Sequence, residues 1–228
     1  KNFLGGQCRI MIKKVLLALT LFSTLSFGAE RNLEEDYIQK MYNDLNLNQK
    51  VEYTIFRKAY KGYMQIPDKR EGLLTIVDYT KPSNVERFFV LDLNKRKIAY
   101  STYVTHGKNS GLTSALNFSN NKNSYMSSLG FYMTNDSYVG SNGYSLRLKG
   151  LEAGINSNAL SRNIVVHGAD YAEPDFIEKY GFLGRSEGCP AIPTTISRDV
   201  IDSIKDRTVL FIIGNDRHYY EKSSYASL

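Results

Sequence analysis

Two seven-residue runs, Leu73-Leu74-Thr75-Ile76-Val77-Asp78-Tyr79 and Arg87-Phe88-Phe89-Val90-Leu91-Asp92-Leu93, constrain this chain most. Both are rich in β-branched and aromatic residues, and the turn-forming Lys81-Pro82-Ser83 lies between them, which is the signature of paired strands. A polar turn, Asn94-Lys95-Arg96-Lys97, leads into the alternating stretch 98–104. Further short strands are expected at 129–134, 144–148, 163–167 and 208–213. Residues 30–66 have a different period. Leu33, Tyr37, Met41 and Leu45, then Tyr53, Phe56, Tyr60 and Tyr63, recur at three- and four-residue steps, predicting two helices broken around Asn46–Asn48. Short strands with irregular loops and no long βαβ alternation imply a mainly β (α+β) fold, a sandwich or barrel with peripheral helices and an N-terminal helical segment. The Ser/Asn-rich stretch 107–127 is long for a loop in a compact domain and is expected to be functional or mobile.

The 228 residues carry a formal charge of +6, but its distribution matters more than its size. Four basic residues lie within the first 14 positions, and all 23 acids lie at Glu30 or beyond, leaving 25 bases against 23 acids in 30–228. A net +2 is too weak a field to indicate nucleic acid as a partner. The early basic residues include Lys13-Lys14, which precede thirteen apolar residues, Val15 to Phe27, and then the small residues Gly28-Ala29. This three-part plan predicts a secretory signal peptide. A membrane anchor is the alternative, but spanning the hydrocarbon takes about 20 apolar residues. The expected organisation is an upstream extension and signal over 1–29, a helical segment over 30–70, a main β-rich domain over 71–215 and a tail over 216–228. No lasting membrane anchor is expected once the signal is cleaved.

Export makes the cysteines informative. There are two, Cys8 and Cys189, and Cys8 precedes the signal segment. A lone thiol in an oxidising compartment is either buried and inert or kept for its reactivity. Its neighbourhood favours reactivity. His167 ends the apolar run Ile164-Val165-Val166, and twenty-two residues later comes Cys189, inside Gly184-Arg185-Ser186-Glu187-Gly188-Cys189-Pro190-Ala191. A thiol nucleophile needs a base for its proton, and Gly188 leaves the backbone clear for the Gly188 and Cys189 amides to face an oxyanion. Asp170, Glu173, Asp175 and Glu178 have no ligand-like spacing with a second His, so neither a metal nor another cofactor is expected.

Rival chemistries fit less well. Gly184-x-Ser186-x-Gly188 matches a serine-hydrolase elbow, but the required strand before it and helix after it are missing. Papain-like hydrolases place Cys before the base, and His218 lies in a charged tail. Sortases place His first but much farther upstream, and their Thr-Leu-x-Thr-Cys type of motif is absent.

His167-Gly168, seventeen residues, and Ser186-x-Gly188-Cys189 resemble the L,D-transpeptidase (YkuD-type) signature, in a divergent branch of that family. Similar too are His106-Gly107-Lys108-Asn109-Ser110-Gly111, Ser128 to Tyr132, Gly143 to Leu148, Val166 to Ala169 and Gly184 to Ala191. The resemblance covers about residues 73–214. It implies acyl transfer on peptidoglycan stem peptides, with Cys189 attacking the carbonyl before a terminal D-residue and His167 moving the proton. The Gly168 carbonyl would orient that imidazole, and the Gly188 and Cys189 amides would form the oxyanion hole. The thioester would pass to an amine or to water. The common branch has His where Glu187 stands here, and polar residues where Pro190-Ala191 stand. Arg185 and Arg147 are candidates to hold a stem-peptide carboxylate, with surface ion pairs the alternative. Ser186, His106 and Asn109 are further candidates for the substrate cleft, and for His106 a structural loop role is the alternative.

Overall fold

The computed structural model describes residues 32–226; the expected signal segment lies outside them. The chain divides into two units, residues 1–40 and 41–228, and the account below concerns the second. Helix α1 covers residues 32–44, and α2 is Tyr53–Gln65. The strands are β1 (Leu73–Asp78), β2 (Phe88–Asp92), β3 (Lys97–Thr102), β4 (Gly130–Gly140), β5 (Gly143–Gly150), β6 (Val165–Ala169), β7 (Ala191–Pro193) and β8 (Val209–Ile213). Helices α3 (Pro174–Tyr180), α4 (Thr194–Ile204) and α5 (Arg217–Lys222) complete the set, with one 3-10 turn at Asp170–Ala172.

The protein is mainly β with peripheral helices. Among the described residues the eight strands form one mixed sheet in the order β3-β2-β1-β8-β4-β5-β6-β7. The chain leaving β3 is stitched to the other edge, since the Thr105 N–H donates to the Ala191 carbonyl at 2.8 Å. β1 and β8 lie at the centre, parallel to each other, and their nearly continuous apolar sequences follow from burial on both faces. The Phe131 and Phe211 rings stack there with centroids 4.2 Å apart. Helix α2 comes close because Gly62 has no side chain; a Cβ at that position would sit 2.1 Å from the Phe131 ring.

The β4–β5 hairpin is longer than its sequence suggests, reaching Gly140 and Gly143 through polar positions. Its exposed end needs no apolar alternation, so the pattern is silent there. β7 was also hidden: three residues, the last of them Pro193 and preceded by Pro190, are too short to show a period. At the other end of the chain, Glu152 accepts from the Phe131 N–H at 2.7 Å and from the hydroxyls of Tyr219 and Ser223. This buried carboxylate ties the C-terminal segment to β4. Among the described residues no helix is long and apolar enough to cross a membrane.

Candidate active site

The site is built where β6 ends and β7 begins. These strands run parallel, with His167 opposite Ala191. One pleat back along each brings Val165 beside Cys189, and the Val165 N–H reaches the Cys189 sulfur at 3.5 Å. His167 therefore lies about 6.6 Å along the strand from the thiol's amide partner. On the far side of β6, Gly168 lets α4 pack closely, since a Cβ there would meet Ser197 Oγ at 2.5 Å.

His167 is 4% exposed, and its Nδ1 lies 2.9 Å from the Gly168 carbonyl. A carbonyl can only accept, so Nδ1 carries the proton and Nε2 is bare. Burial lowers the imidazole pKa below its ordinary value, with the Gly168 contact opposing. At neutral pH the ring is an uncharged base in the tautomer that can accept a proton.

Cys189 is enclosed as well. It is 8% exposed, and its S–H donates to the Asn163 carbonyl at 3.5 Å. Burial pushes the thiol pKa up to about 11, against the opposing pull of the Val165 amide and of Arg162. The resting pair is thus neutral thiol and neutral imidazole. Asn163, with Arg162, Glu187, Tyr125 and Lys122, lines a polar cleft of about 230 Å³. A larger cavity of about 550 Å³, bordered by Arg70, Asp92 and Lys95, contains neither His167 nor Cys189.

The turn before Cys189 is tightly specified. Gly188 has φ +124°, and a Cβ there would lie 2.8 Å from the Met126 carbonyl, so a side chain is excluded on both counts. The Gly188 N–H donates to Ser186 Oγ at 3.1 Å, and that hydroxyl donates to the Cys189 carbonyl at 2.6 Å. Two expectations change here. Ser186 is 5% exposed and is spent on closing the turn rather than offered to substrate. Of the two amides expected to face an oxyanion, that of Gly188 is engaged, whereas that of Cys189 has no hydrogen-bond partner among the described residues.

Ser127, which sequence reasoning missed, orients this free amide. Its hydroxyl donates to the Gly188 carbonyl at 3.2 Å and accepts from the Gly107 N–H at 3.0 Å. Carbonyl and N–H point oppositely across a trans peptide, so holding the Gly188 carbonyl inward turns the Cys189 N–H the other way. A serine in a Ser/Asn-rich loop gives no signal of such a role.

His106 is corrected as well. The ring is fully buried, accepts from the Arg87 guanidinium at 2.8 Å and donates to the Gly111 carbonyl at 3.2 Å. It presents no free nitrogen to a substrate; what reaches the site is its backbone, whose carbonyl accepts from the Ser186 N–H at 3.0 Å. Asn109 is exposed, and its side chain ties the 107–111 turn to the Ser124 carbonyl at 2.9 Å. Arg147 pairs with Asp136 and lies 3.8 Å over the Tyr138 ring. Arg185 is exposed, with one long bond to the Lys108 carbonyl at 3.3 Å, and of the two arginines is the less committed. Glu187 pairs with Lys108 at 2.9 Å; both side chains are exposed, so the pair is worth at most about 1 kcal/mol.

Burial, and next the Arg87 charge, push the His106 pKa down to about 4. The unfolded chain then binds more protons than the folded one between pH 4 and 6.5, so stability is lost as pH falls through that window. A shift from 6.5 to about 4 implies a loss on the order of 2 kcal/mol between pH 7 and 5. Asp78 and Glu152, both raised by burial, act in the opposite sense above the ordinary carboxyl pKa. Comparing urea unfolding of wild type and His106→Gln across pH cancels those carboxylates. The variant is expected to lose less stability on acidification, and equal slopes would refute the assignment.

The family model described as L,D-transpeptidase catalytic domain (YkuD_2) matches residues 47–213. No curated protein matches the chain. Among solved structures, an L,D-transpeptidase from Mycobacterium smegmatis is 12% identical, with a TM-score of 0.39 over 63% of this chain and 59% of that one. The helical cell shape determining protein Pgp2 from Campylobacter jejuni is 11% identical, with a TM-score of 0.43 over 71% and 57%. In both cases the chain spans less than two thirds of the other protein. With the match to the model covering well over half of its length, the chain belongs to the YkuD_2 family of L,D-transpeptidase catalytic domains.

Proposed function

We propose that the protein is an exported cysteine L,D-transpeptidase acting on peptidoglycan stem peptides. The observation that carries this reading is the orientation of His167. Its Nδ1 proton is held by the Gly168 carbonyl, leaving Nε2 bare one pleat from the strand position that contacts the Cys189 sulfur. Apolar residues 15–27 support export.

In the forward step Sγ attacks the carbonyl preceding the terminal D-residue while Nε2 takes the thiol proton. The oxyanion is met by the Cys189 N–H, and by that of Gly188 if the Ser186 hydroxyl gives it up. The imidazolium then protonates the departing amine, and a thioester remains on Cys189. An acceptor amine attacks the thioester, returning its proton through the same imidazole, and a 3-3 cross-link or an exchanged terminal residue results. Arg185 would take a stem-peptide carboxylate, a reading supported by its exposure one residue before Ser186.

Incubation of the mature protein with disaccharide-tetrapeptide, followed by mass spectrometry, tests the reading. A cross-linked dimer is expected, and Cys189→Ala is expected to form none. Tripeptide alone would make the enzyme an L,D-carboxypeptidase that uses water as acceptor. Unchanged substrate, together with no carbapenem adduct on Cys189, would reduce the protein to a binding role. Product from Cys189→Ala would exclude this nucleophile.

A further inference from the structure

Arg162 is half-buried next to Asn163, whose carbonyl holds the thiol proton. Its guanidinium donates to the Ser119 carbonyl at 2.7 Å, the Met126 carbonyl at 2.6 Å, and the hydroxyls of Ser128 and Ser124 at 3.2 Å each. All four acceptors are neutral. Among the described residues no carboxylate pairs with it, so its charge is uncompensated at contact range. The same group closes on the nucleophile's turn, since a Cβ built at Gly188 would lie 3.3 Å from its Nη2.

We propose that Arg162 is a positioning residue for the nucleophile: fixed by the 119–128 loop against Gly188, it supplies the positive charge that favours ionisation of the Cys189 sulfur. This rests on Cys189 being the nucleophile. The role is needed because the other groups facing the thiol do not supply it. His167 is neutral at rest. Tyr79 and Tyr171 are phenols whose pKa values burial raises to about 12, and they remain uncharged. Glu187 opposes ionisation, and Arg162 is the charged side chain that favours it. Binding the guanidinium to four loop acceptors makes the loop's order and the thiol's reactivity depend on one side chain.

The test is the pH dependence of Cys189 alkylation by iodoacetamide in the full chain, followed by mass spectrometry on the Cys189 peptide. Arg162→Gln is expected to move the midpoint up by about one pH unit or more, an alkylation rate about tenfold lower at neutral pH. Arg162→Lys keeps the charge and is expected to stay near the wild-type midpoint. Ser124→Ala removes a loop bond without touching the charge and is also expected to stay there. An unmoved midpoint in Arg162→Gln overturns the proposal, as does an equal upward shift in Ser124→Ala, which would assign the effect to loop order alone. Should Arg162→Gln fail to fold, Arg162→Lys decides, because a midpoint raised by a unit despite the retained charge overturns it too. These outcomes are independent of turnover. Failure of the nucleophile assignment would show instead as product formation by Cys189→Ala.

Discussion

His167→Ala is expected to lower the rate of Cys189 acylation by about 10²–10⁴-fold, the scale of a lost general base. The reason lies in the resting protonation states. With the thiol pKa raised to about 11, only about one molecule in ten thousand carries thiolate at pH 7. Acylation must therefore move the proton in the same step, and Nε2 is the acceptor that the Gly168 contact leaves available. The pH profile carries a second signature. Wild-type acylation needs neutral His167, whose pKa burial holds below its ordinary value, so the rate should persist below pH 6.5 before falling. The alanine variant has lost the base and should depend on free thiolate, rising about tenfold per pH unit toward pH 11. Carbapenem acylation followed by intact-mass spectrometry measures both. A variant rate within a few-fold of wild type at pH 7 would remove His167 from the mechanism.

Arg87→Met is expected to destabilise the protein by about 3–5 kcal/mol, the usual cost of removing one member of a buried charged network. Arg87 is fully buried. Its guanidinium donates twice to the Val104 carbonyl, at 2.7 and 3.0 Å, once to the Lys81 carbonyl at 2.8 Å, and to His106. It also lies 4.8 Å over the Tyr79 ring. Burial lowers its pKa to about 10, which still leaves it charged at pH 7. Methionine fills much of the volume but strands two carbonyls and an imidazole nitrogen. Arg87→Lys is expected to recover little, because an ammonium cannot span those acceptors in one plane. Urea unfolding monitored by circular dichroism checks this, and a loss under 1 kcal/mol for Arg87→Met would contradict it. Arg87 holds His106 and His106 holds the Ser186 turn, so activity should fall with stability.

Much of the strand content was legible, and the reason is physical. β1, β2 and β8 are buried on both faces, and burial demands runs of apolar and β-branched residues that any reading detects. The proposed nucleophile and base could be picked from the sequence because few residue types do that chemistry, and Cys189 follows His167 by only twenty-two residues. The supporting roles were not legible. Ser127, Ser186 and Arg162 act through hydrogen bonds to backbone atoms far away in the chain, and no spacing rule encodes such partners.

The sequence by itself determined that this is a mainly β chain and singled out one thiol and one imidazole as candidates for its chemistry, because periodicity and reactive side chains are properties of residue order. Only the tertiary structure decided that the thiol rests protonated, that His106 is enclosed, and that the Cys189 amide is the unengaged donor. Each of these depends on which groups are buried together and which polar atoms find partners, and that is settled when distant segments pack.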